Sequence, residues 1–258
     1  MKKLSNYILA CLLLFPLFAN AGTIAYWKLE DSAVDETGNH NATAYGGEYS
    51  SFVPEGAGIN ASFKLDGSDD YVSGGYQVMP YQGNFTVEGW FYLADSASRG
   101  GVFQRKEGTP YNGMSLGKGN PSDWGMSVRD KYGNGIWAHT SQIIGEWVHW
   151  AGVFDAAEKS VKLYKNGVLV STDTNSNFTG EFDPSSQEEL RIGRRSVTYF
   201  NGYIAHVRIS DTALTANELL LTVSPVPEIN SILLLILGFS LILITKNNWR
   251  LYSFIFRL

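Results

Sequence analysis

Two stretches of this sequence carry residue types whose chemistry goes beyond packing: the aspartates Asp66, Asp69 and Asp70, and the aromatic residues between positions 111 and 137. Calcium is a hard cation that takes carboxylate and carbonyl oxygens from a loop. It is the one cofactor these aspartates suggest, with Asp69 as the ligand to test. The spacing lacks the full ligand series of an EF-hand, and Asp-Gly-x-Asp-Asp is equally a turn sequence. Residues 111–137 are rich in glycine, asparagine and serine and carry Tyr111, Trp124, Tyr132 and Trp137, with Asp123, Arg129 and Asn134 among them. Exposed rings beside directional hydrogen-bonding groups form a surface on which a sugar stacks. Trp124, Tyr132, Trp137 and Arg129 are therefore the ligand-binding candidates; the competing reading has the rings filling a β-sandwich core.

No catalytic centre assembles from the sequence. His149 and His206 stand in strand patterns with no cysteine nucleophile and no glycine-flanked serine elbow, which makes them structural histidines. Glu188-Glu189 reads as solvated charge beside a strand. The chain is expected not to be an enzyme. Taking Lys2, Lys3, Lys246, Arg250 and Arg257 from the 20 basic residues, and Glu228 from the 25 acidic ones, leaves 15 against 24 in residues 22–222, a net charge of −9. Phosphate binding is driven by basic residues, so this balance argues against nucleic acid and anionic membrane surfaces as partners.

The elements that must position these residues are strands and turns. Residues 85–93 place Phe85, Val87, Phe91 and Leu93 on one face and Thr86, Glu88, Trp90 and Tyr92 on the other, the period of a sheet with one face in the core. Residues 147–154 alternate similarly. Asn166-Gly167 between two apolar runs is a hairpin, because that pair supplies the positive φ of a two-residue turn. Many short strands, with 27 glycines in the chain to turn the corners, favour an all-β sandwich or jelly roll. One short helix is expected over residues 215–221, with Thr215 as cap and Glu218 three residues on.

The ends give an address. Residues 1–21 read as a signal peptide: Lys2 and Lys3, an apolar stretch over residues 8–18, and Ala19-Asn20-Ala21, with cleavage by signal peptidase after Ala21. Cys11 is the only cysteine and leaves with that segment, so the mature chain has no disulfide. Residues 22–222, about 200 residues, suit one large all-β domain. Residues 223–231 form a proline-containing spacer with Val226-Pro227-Glu228, since two prolines remove donors and fix φ. Residues 232–245 follow as the transmembrane segment; its apolar run is short of the roughly 20 residues that span a bilayer core, and counting from Ile229 to Thr245 brings it near the lower limit. Residues 246–258 are a basic and apolar tail whose Lys246, Arg250 and Arg257 keep it cytoplasmic.

These blocks carry two resemblances. Val226, Pro227 and Glu228, the apolar run and the basic end resemble the PEP-CTERM sorting signal, with Ile229 where a second proline is usual and a tail continuing to Leu258. That resemblance implies an exosortase-like enzyme as partner, cutting near the motif; an ordinary C-terminal membrane anchor through residues 232–245 is the alternative. Between the ends, Tyr26-Trp27-Lys28-Leu29-Glu30 and Asp35-Glu36-Thr37-Gly38-Asn39 resemble the first strand and turn of the LamG-like jelly-roll domains, relatives of the concanavalin A-like lectins and glucanases. Ala61 through Val72, with Asp66-Gly67-Ser68-Asp69-Asp70-Tyr71, is similar to that family's most recognisable block. The blocks at 84–90, 146–151, 163–167 and 200–209 follow in the family's order, with Ala205 and His206 where it usually carries acids. The resemblance implies a two-sheet antiparallel jelly-roll sandwich. Laminarinase-type relatives hydrolyse glycosides with a Glu-x-Asp-x-x-Glu strand, and no such motif occurs here. The expectation is an exported, non-catalytic recognition module that binds carbohydrate or exopolysaccharide. It would be anchored in the inner membrane before processing and reside at the cell surface or in the matrix afterwards. The alternative is a structural or adhesive protein making protein contacts.

Overall fold

The computed structural model describes residues 22–221 apart from Tyr81, Ser98, 107–111, 119–121 and 184–187. Ala21 with the signal segment, Val226, Pro227 and Glu228, and the apolar run 232–245 lie outside the described residues. So does Tyr111. No helix of the described residues is long and apolar enough to cross a membrane.

Alternating apolar residues force strands to pair so that their apolar faces meet, and here they do so in two antiparallel sheets. The eight-stranded sheet runs in the order β13 (Val168–Thr174), β12 (Ser160–Lys165), β11 (Trp147–Asp155), β6 (Phe85–Leu93), β17 (Asn201–Ser210), β4 (Ser62–Asp66), β3 (Glu48–Ser50), with β1 (Thr23–Trp27) also on β17. The seven-stranded sheet runs β10 (Gly135–Ser141), β9 (Asp123–Arg129), β8 (Asn112–Lys118), β7 (Gly100–Lys106), β14 (Glu189–Ile192), β5 (Tyr71–Tyr76), β2 (Thr43–Tyr45). A small ribbon, β15 (Arg194–Arg195) and β16 (Thr198–Tyr199), stands apart. The all-β sandwich is thus as expected, and Asn166 and Gly167 take the positive φ values of the hairpin turn, 48° and 78°.

One continuous apolar cluster fills the space between the sheets, with Val87, Phe91, Phe154 and Ile204 from one and Val102, Leu116, Met126 and Leu190 from the other. Gly152 lets the sheets close, since a Cβ there would lie 2.7 Å from that of Met126. Where the two edge strands β10 and β13 meet, the Trp137 N–H donates to Asp173 Oδ2 (2.9 Å) and Asn175 Nδ2 donates to the Gly135 carbonyl (2.9 Å). Edge donors that would otherwise invite another chain are thereby partly used up.

Two expectations need correction. Strand β6 does not have a solvated polar face: Thr86 and Glu88 are fully buried. The chain after β17 folds back over them, with Leu214 and Leu219 packed on Ala151. Nor is there a helix at 215–221, only the single 3-10 turn Ala216–Glu218. Glu218 does reach back to Thr215, accepting from its N–H (2.8 Å) and hydroxyl (2.7 Å). The turn stops at Leu219, which is extended (φ −71°, ψ 148°), and the Leu220 N–H then donates to Glu88 Oε2 (2.7 Å).

Glu88 is the centre of this closure. Arg208 Nε donates to its Oε1 (2.7 Å), Arg208 Nη2 also contacts it, and His149 Nε2 stands 3.1 Å from Oε2. Burial alone would raise the carboxyl, but His149, Arg208 and the Leu220 N–H outweigh it and hold the group below the usual carboxylate range. Removing one partner of a buried charge cluster strands the others, at a cost of about 3–5 kcal/mol. Glu88→Gln is therefore expected to lower stability by that amount in urea unfolding, and an unchanged midpoint would show that the closure contributes nothing.

Candidate functional site

The outer face of the seven-stranded sheet can be read off its register. One row crosses the whole sheet: Trp137, Ser127, Ser115, Phe103, Arg191, Ser73, Thr43. The next row holds His139, Gly125, Gly117 and Gly101, and continues to Gly193, whose N–H donates to the Gly101 carbonyl (2.7 Å). A third row places Gly135 beside Arg129 and Gly113. Because side chains alternate along each strand, the partners in between, Met114, Leu116, Met126, Val128 and Ile136, point into the core and are buried. The outer surface thus has a low floor of glycine and serine over β8 and β9, beside Trp137 at the β10 margin, while Phe103 and Arg191 rise from β7 and β14 in the middle of the sheet.

At the β10 margin stands Trp137, 40% exposed. His139 stacks on it with ring centroids 4.1 Å apart and planes 19° apart. Gly125, opposite, gives the indole room: a Cβ there would lie 2.9 Å from Trp137 Nε1 and 2.8 Å from His139 Cβ. His139 Nδ1 is 3.6 Å from Asp123 Oδ2. Arg129 is exposed and donates from Nη1 to the Gly133 carbonyl (3.2 Å); among the described residues it has no carboxylate in ion-pair range. Tyr132, 63% exposed, caps the β9–β10 turn with Lys131 Nζ 5.0 Å from its ring centroid. The structure therefore brings Trp137, Arg129 and Tyr132 to one end of one face. Trp124 is not among them. It is 2% exposed and stacks on Trp150 between the sheets at 5.6 Å, because it alternates with Asp123 and Gly125 and so points inward. A ring buried there has no face for a ligand.

The β9–β10 turn is held by a residue that sequence reasoning passed over. Asp130 is fully buried; its Oδ1 accepts the N–H groups of Tyr132 (3.0 Å) and Asn134 (2.8 Å). Its Oδ2 accepts Asn134 Nδ2, Thr179 N and Thr179 Oγ1, each at 3.0 Å. The signal was present, for Asp130-Lys131-Tyr132-Gly133-Asn134 repeats the Asp-x-x-Gly-Asn of residues 35–39. Asp35 works in the same way: it accepts from Tyr26 N (2.8 Å), Thr37 N (3.1 Å), Asn39 N (3.1 Å) and His40 N (2.8 Å).

A second aromatic group, also missed, stands at the opposite margin. Tyr45, 48% exposed on β2, stacks on Tyr71 of β5 with centroids 4.7 Å and planes 9° apart. The Arg194 guanidinium lies 4.9 Å from the Tyr71 ring centroid and 5.3 Å from that of Tyr199. No periodicity announces this group, since its four members come from four strands.

The remaining candidates have local partners. Ligand atoms of Asp66, Asp69 and Asp70 lie within 4.8 Å of one another. Asp70, however, already accepts the N–H groups of Gly47 (2.8 Å) and Asp66 (3.0 Å), and Ser68 N donates to Asp66 Oδ1 (2.7 Å). These are turn contacts, and the donor set would have to give some up to hold a cation. His206 sits at a bulge of β17 with φ 52°. Its Nδ1 is 2.5 Å from Tyr26 Oη and its Nε2 3.0 Å from Glu30 Oε1. Burial lowers its pKa more than Glu30 restores it. Glu189 is tied to Arg191 (3.0 Å) and contacts the Ser73 hydroxyl, so it is not a freely solvated charge.

A family model described as the concanavalin A-like lectin/glucanases superfamily matches residues 66–220. The chain is 34% identical to pappalysin-1 of Mus musculus over 85 residues and 34% identical to that of Homo sapiens over 86 residues. Each alignment takes in 32% of this chain and 5% of the relative, so the chain spans a small fraction of the curated relatives it matches. Domain 4 of AbnA, a GH43 extracellular arabinanase from Geobacillus stearothermophilus, in complex with arabinotriose, is similar at TM-score 0.55 and 18% identity, covering 78% of this chain and 97% of that one. The binding domain of Paraclostridial Mosquitocidal Protein 1 gives 0.59 and 14%, covering 78% and 51%. The binding domain of botulinum neurotoxin DC in complex with SialylT gives 0.54 and 14%, covering 76% and 50%. These likenesses are of fold.

Asp130 allows a test of what positions the Trp137 end. Burial raises its pKa, but the Thr179 and Asn134 donors outweigh that and hold it below the usual value. A carboxyl depressed in the folded state contributes stability that is present above the unfolded pKa of about 3.9 and is lost as pH falls through the folded value. Asp130→Ala is expected to cost about 3 kcal/mol near neutral pH, from several amides left without an acceptor. The gap between wild type and variant in thermal unfolding should shrink below about pH 4; a gap constant down to pH ~2 would contradict the assignment.

Proposed function

The chain belongs to the concanavalin A-like lectin/glucanases superfamily, and from that premise we propose that it is an exported, non-catalytic module that binds carbohydrate on the outer face of its seven-stranded sheet. The observation that carries this reading is the Trp137 ring, held by His139 and flanked by Arg129 and Tyr132 above a floor of glycine and serine. A pyranose presents an apolar C–H face and a polar rim; the indole suits the first, and Arg129 and Asp123 the second. Two similar structures are described in complex with arabinotriose and with SialylT, which supports a saccharide as the ligand class.

Absence of chemistry is part of the proposal. Glycoside hydrolysis needs two carboxyl groups about 5–9.5 Å apart. Asp123 and Glu189 stand on β9 and β14, three strands apart, on the order of 14 Å at ordinary strand spacing. The expected export follows from residues 1–21 and from Val226-Pro227-Glu228, and gives such a module access to a surface polymer. A calcium ion would be held at Asp69, with Asp66 and Asp70 beside it, where the chain passes from β4 to β5.

A second reading has its own support. On the outer face of the eight-stranded sheet, Trp147, Tyr92 and Tyr203 share a row, and Phe52 lies 4.8 Å from both tyrosine centroids. An aromatic patch of this kind suits an adhesive protein contact.

A glycan array with the wild-type chain, Trp137→Ala and Phe52→Ser separates the two. Saccharide binding lost by more than about tenfold in Trp137→Ala and kept in Phe52→Ser is expected, since a stacked ring contributes ~0.5–1.5 kcal/mol beyond its buried area. Equal binding by all three would remove the carbohydrate reading from this face. Mass spectrometry of the mature protein tests the tail: a C-terminus near Glu228 is expected, moving to Leu258 when Pro227 and Glu228 are both changed to Ala. An intact Leu258 in an exosortase-bearing host would leave a plain anchor.

A further inference from the structure

The two margins of the seven-stranded face share a composition. At β10, the exposed Trp137 ring neighbours Arg129; at β2 and β5, the stacked Tyr45 and Tyr71 rings neighbour Arg194. Neither arginine has a carboxylate within ion-pair range among the described residues, although residues 22–222 carry nine more acidic than basic side chains. Arginines in so acidic a domain are ordinarily neutralised, and Arg191 between the two margins is, by Glu189 at 3.0 Å. Arg194 is held in place by more than charge. Its guanidinium lies against Tyr71 and Tyr199, and Nε donates to the Ser196 carbonyl (2.8 Å), so its other N–H groups are fixed in direction before any ligand arrives.

From this pairing we propose that the ligand is an extended acidic polysaccharide, bound at two stations on one face. Trp137 with Arg129 is the first and Tyr45 with Tyr71 and Arg194 the second. The proposal rests on the carbohydrate reading above and adds the second station and the sign of the ligand's charge. At each station a sugar ring stacks on the exposed aromatic face while its carboxylate or sulfate takes charge-assisted hydrogen bonds from the arginine. Six strand spacings separate β10 from β2, on the order of 29 Å, so a short oligosaccharide reaches one station and a long one reaches both. Engaging the second becomes intramolecular, and affinity climbs with chain length once the span is bridged.

Titration calorimetry of the full chain in detergent with short and long oligogalacturonates, and with neutral xylo-oligosaccharides of matched length, tests this. The long acidic chain is expected to bind at least about tenfold more tightly than the short one, to lose that gain as salt rises, and to exceed the neutral chain. Arg194→Gln and Tyr45→Ala should each bring the ratio of long- to short-chain affinity toward one, with Tyr45→Phe restoring it; unfolding midpoints near wild type guard against misfolding. If both variants keep the wild-type ratio while Trp137→Ala loses binding to every chain, the second station is wrong and the carbohydrate reading stands. If long neutral and acidic chains bind alike and Arg194→Gln has no effect, the acidic class is wrong. If no saccharide binds the wild-type chain, both fall together.

Discussion

The sandwich is closed by one carboxylate. Glu88 projects from β6, the strand that joins β11 to β17 in the eight-stranded sheet, into what would otherwise be the solvated face. An unpaired charge in that position would be prohibitively costly, and the surrounding structure reflects this. Arg208 comes from β17, His149 from β11, and the N–H of Leu220 from the last described turn. Arg208 then uses Nη2 on the Glu218 carbonyl (2.8 Å), so the same cluster that neutralises Glu88 also fixes where the domain's chain ends. The terminal segment in turn lays Leu214 and Leu219 over Ala151, extending apolar burial to the outside of the sheet.

Elsewhere the loops are fixed by the same device on a smaller scale. With a single cysteine in the sequence, no disulfide within the chain can pin them. Turns of Asp-x-x-Gly-Asn do so at Asp35 and Asp130, where the carboxylate gathers the N–H groups two and four residues on and the glycine supplies positive φ, 78° at Gly38 and 90° at Gly133. Asp130 additionally ties the 179–181 loop to the β9–β10 turn through Thr179. This is why Tyr132 and Arg129 can be held near Trp137 although they belong to a hairpin tip, the part of a sheet most free to move.

Much of this was legible and some was not, for identifiable reasons. Period-two alternation at 85–93 and the Asn166-Gly167 turn led directly to paired strands, because both are local. The outward face of β6 was misjudged, since nothing near Thr86 or Glu88 in sequence reports that residues 211–221 return to cover them. Trp124 and Trp137 looked equivalent as aromatic residues in a glycine-rich stretch. Their difference lies in parity along β9 and β10, which composition does not carry. The repeat of Asp-x-x-Gly-Asn at 130–134 was visible and would have placed the turn. Tyr45, Tyr71, Arg194 and Tyr199 form a group only through strand order, and strand order in a sandwich is set by long-range pairing.

The two outer faces differ in what their rings offer. On the eight-stranded sheet the aromatic side chains contact one another at mixed angles, from 34° between Phe52 and Trp147 to 90° between Phe52 and Tyr92. The rings pack on one another from several directions, and the cluster behaves as a packed apolar patch. On the seven-stranded sheet the contacts are near parallel, 19° for Trp137 with His139 and 9° for Tyr45 with Tyr71. Parallel stacking uses one face of each ring; Tyr71 also carries the Arg194 guanidinium, while Trp137 and Tyr45 stay substantially exposed, which a sugar's C–H face requires. Along the row that starts at His139 the floor is low because Gly125, Gly117 and Gly101 have no side chain to raise it, although Phe103 and Arg191 rise from the neighbouring row. At Gly101 and Gly117 one could not be accommodated, since a Cβ would fall 2.2 Å from the Leu116 carbonyl oxygen and 2.4 Å from that of Gly100. The close approach of β7 to β8 thus dictates the glycines, and the shallow strip they leave follows from strand packing before any ligand selects it.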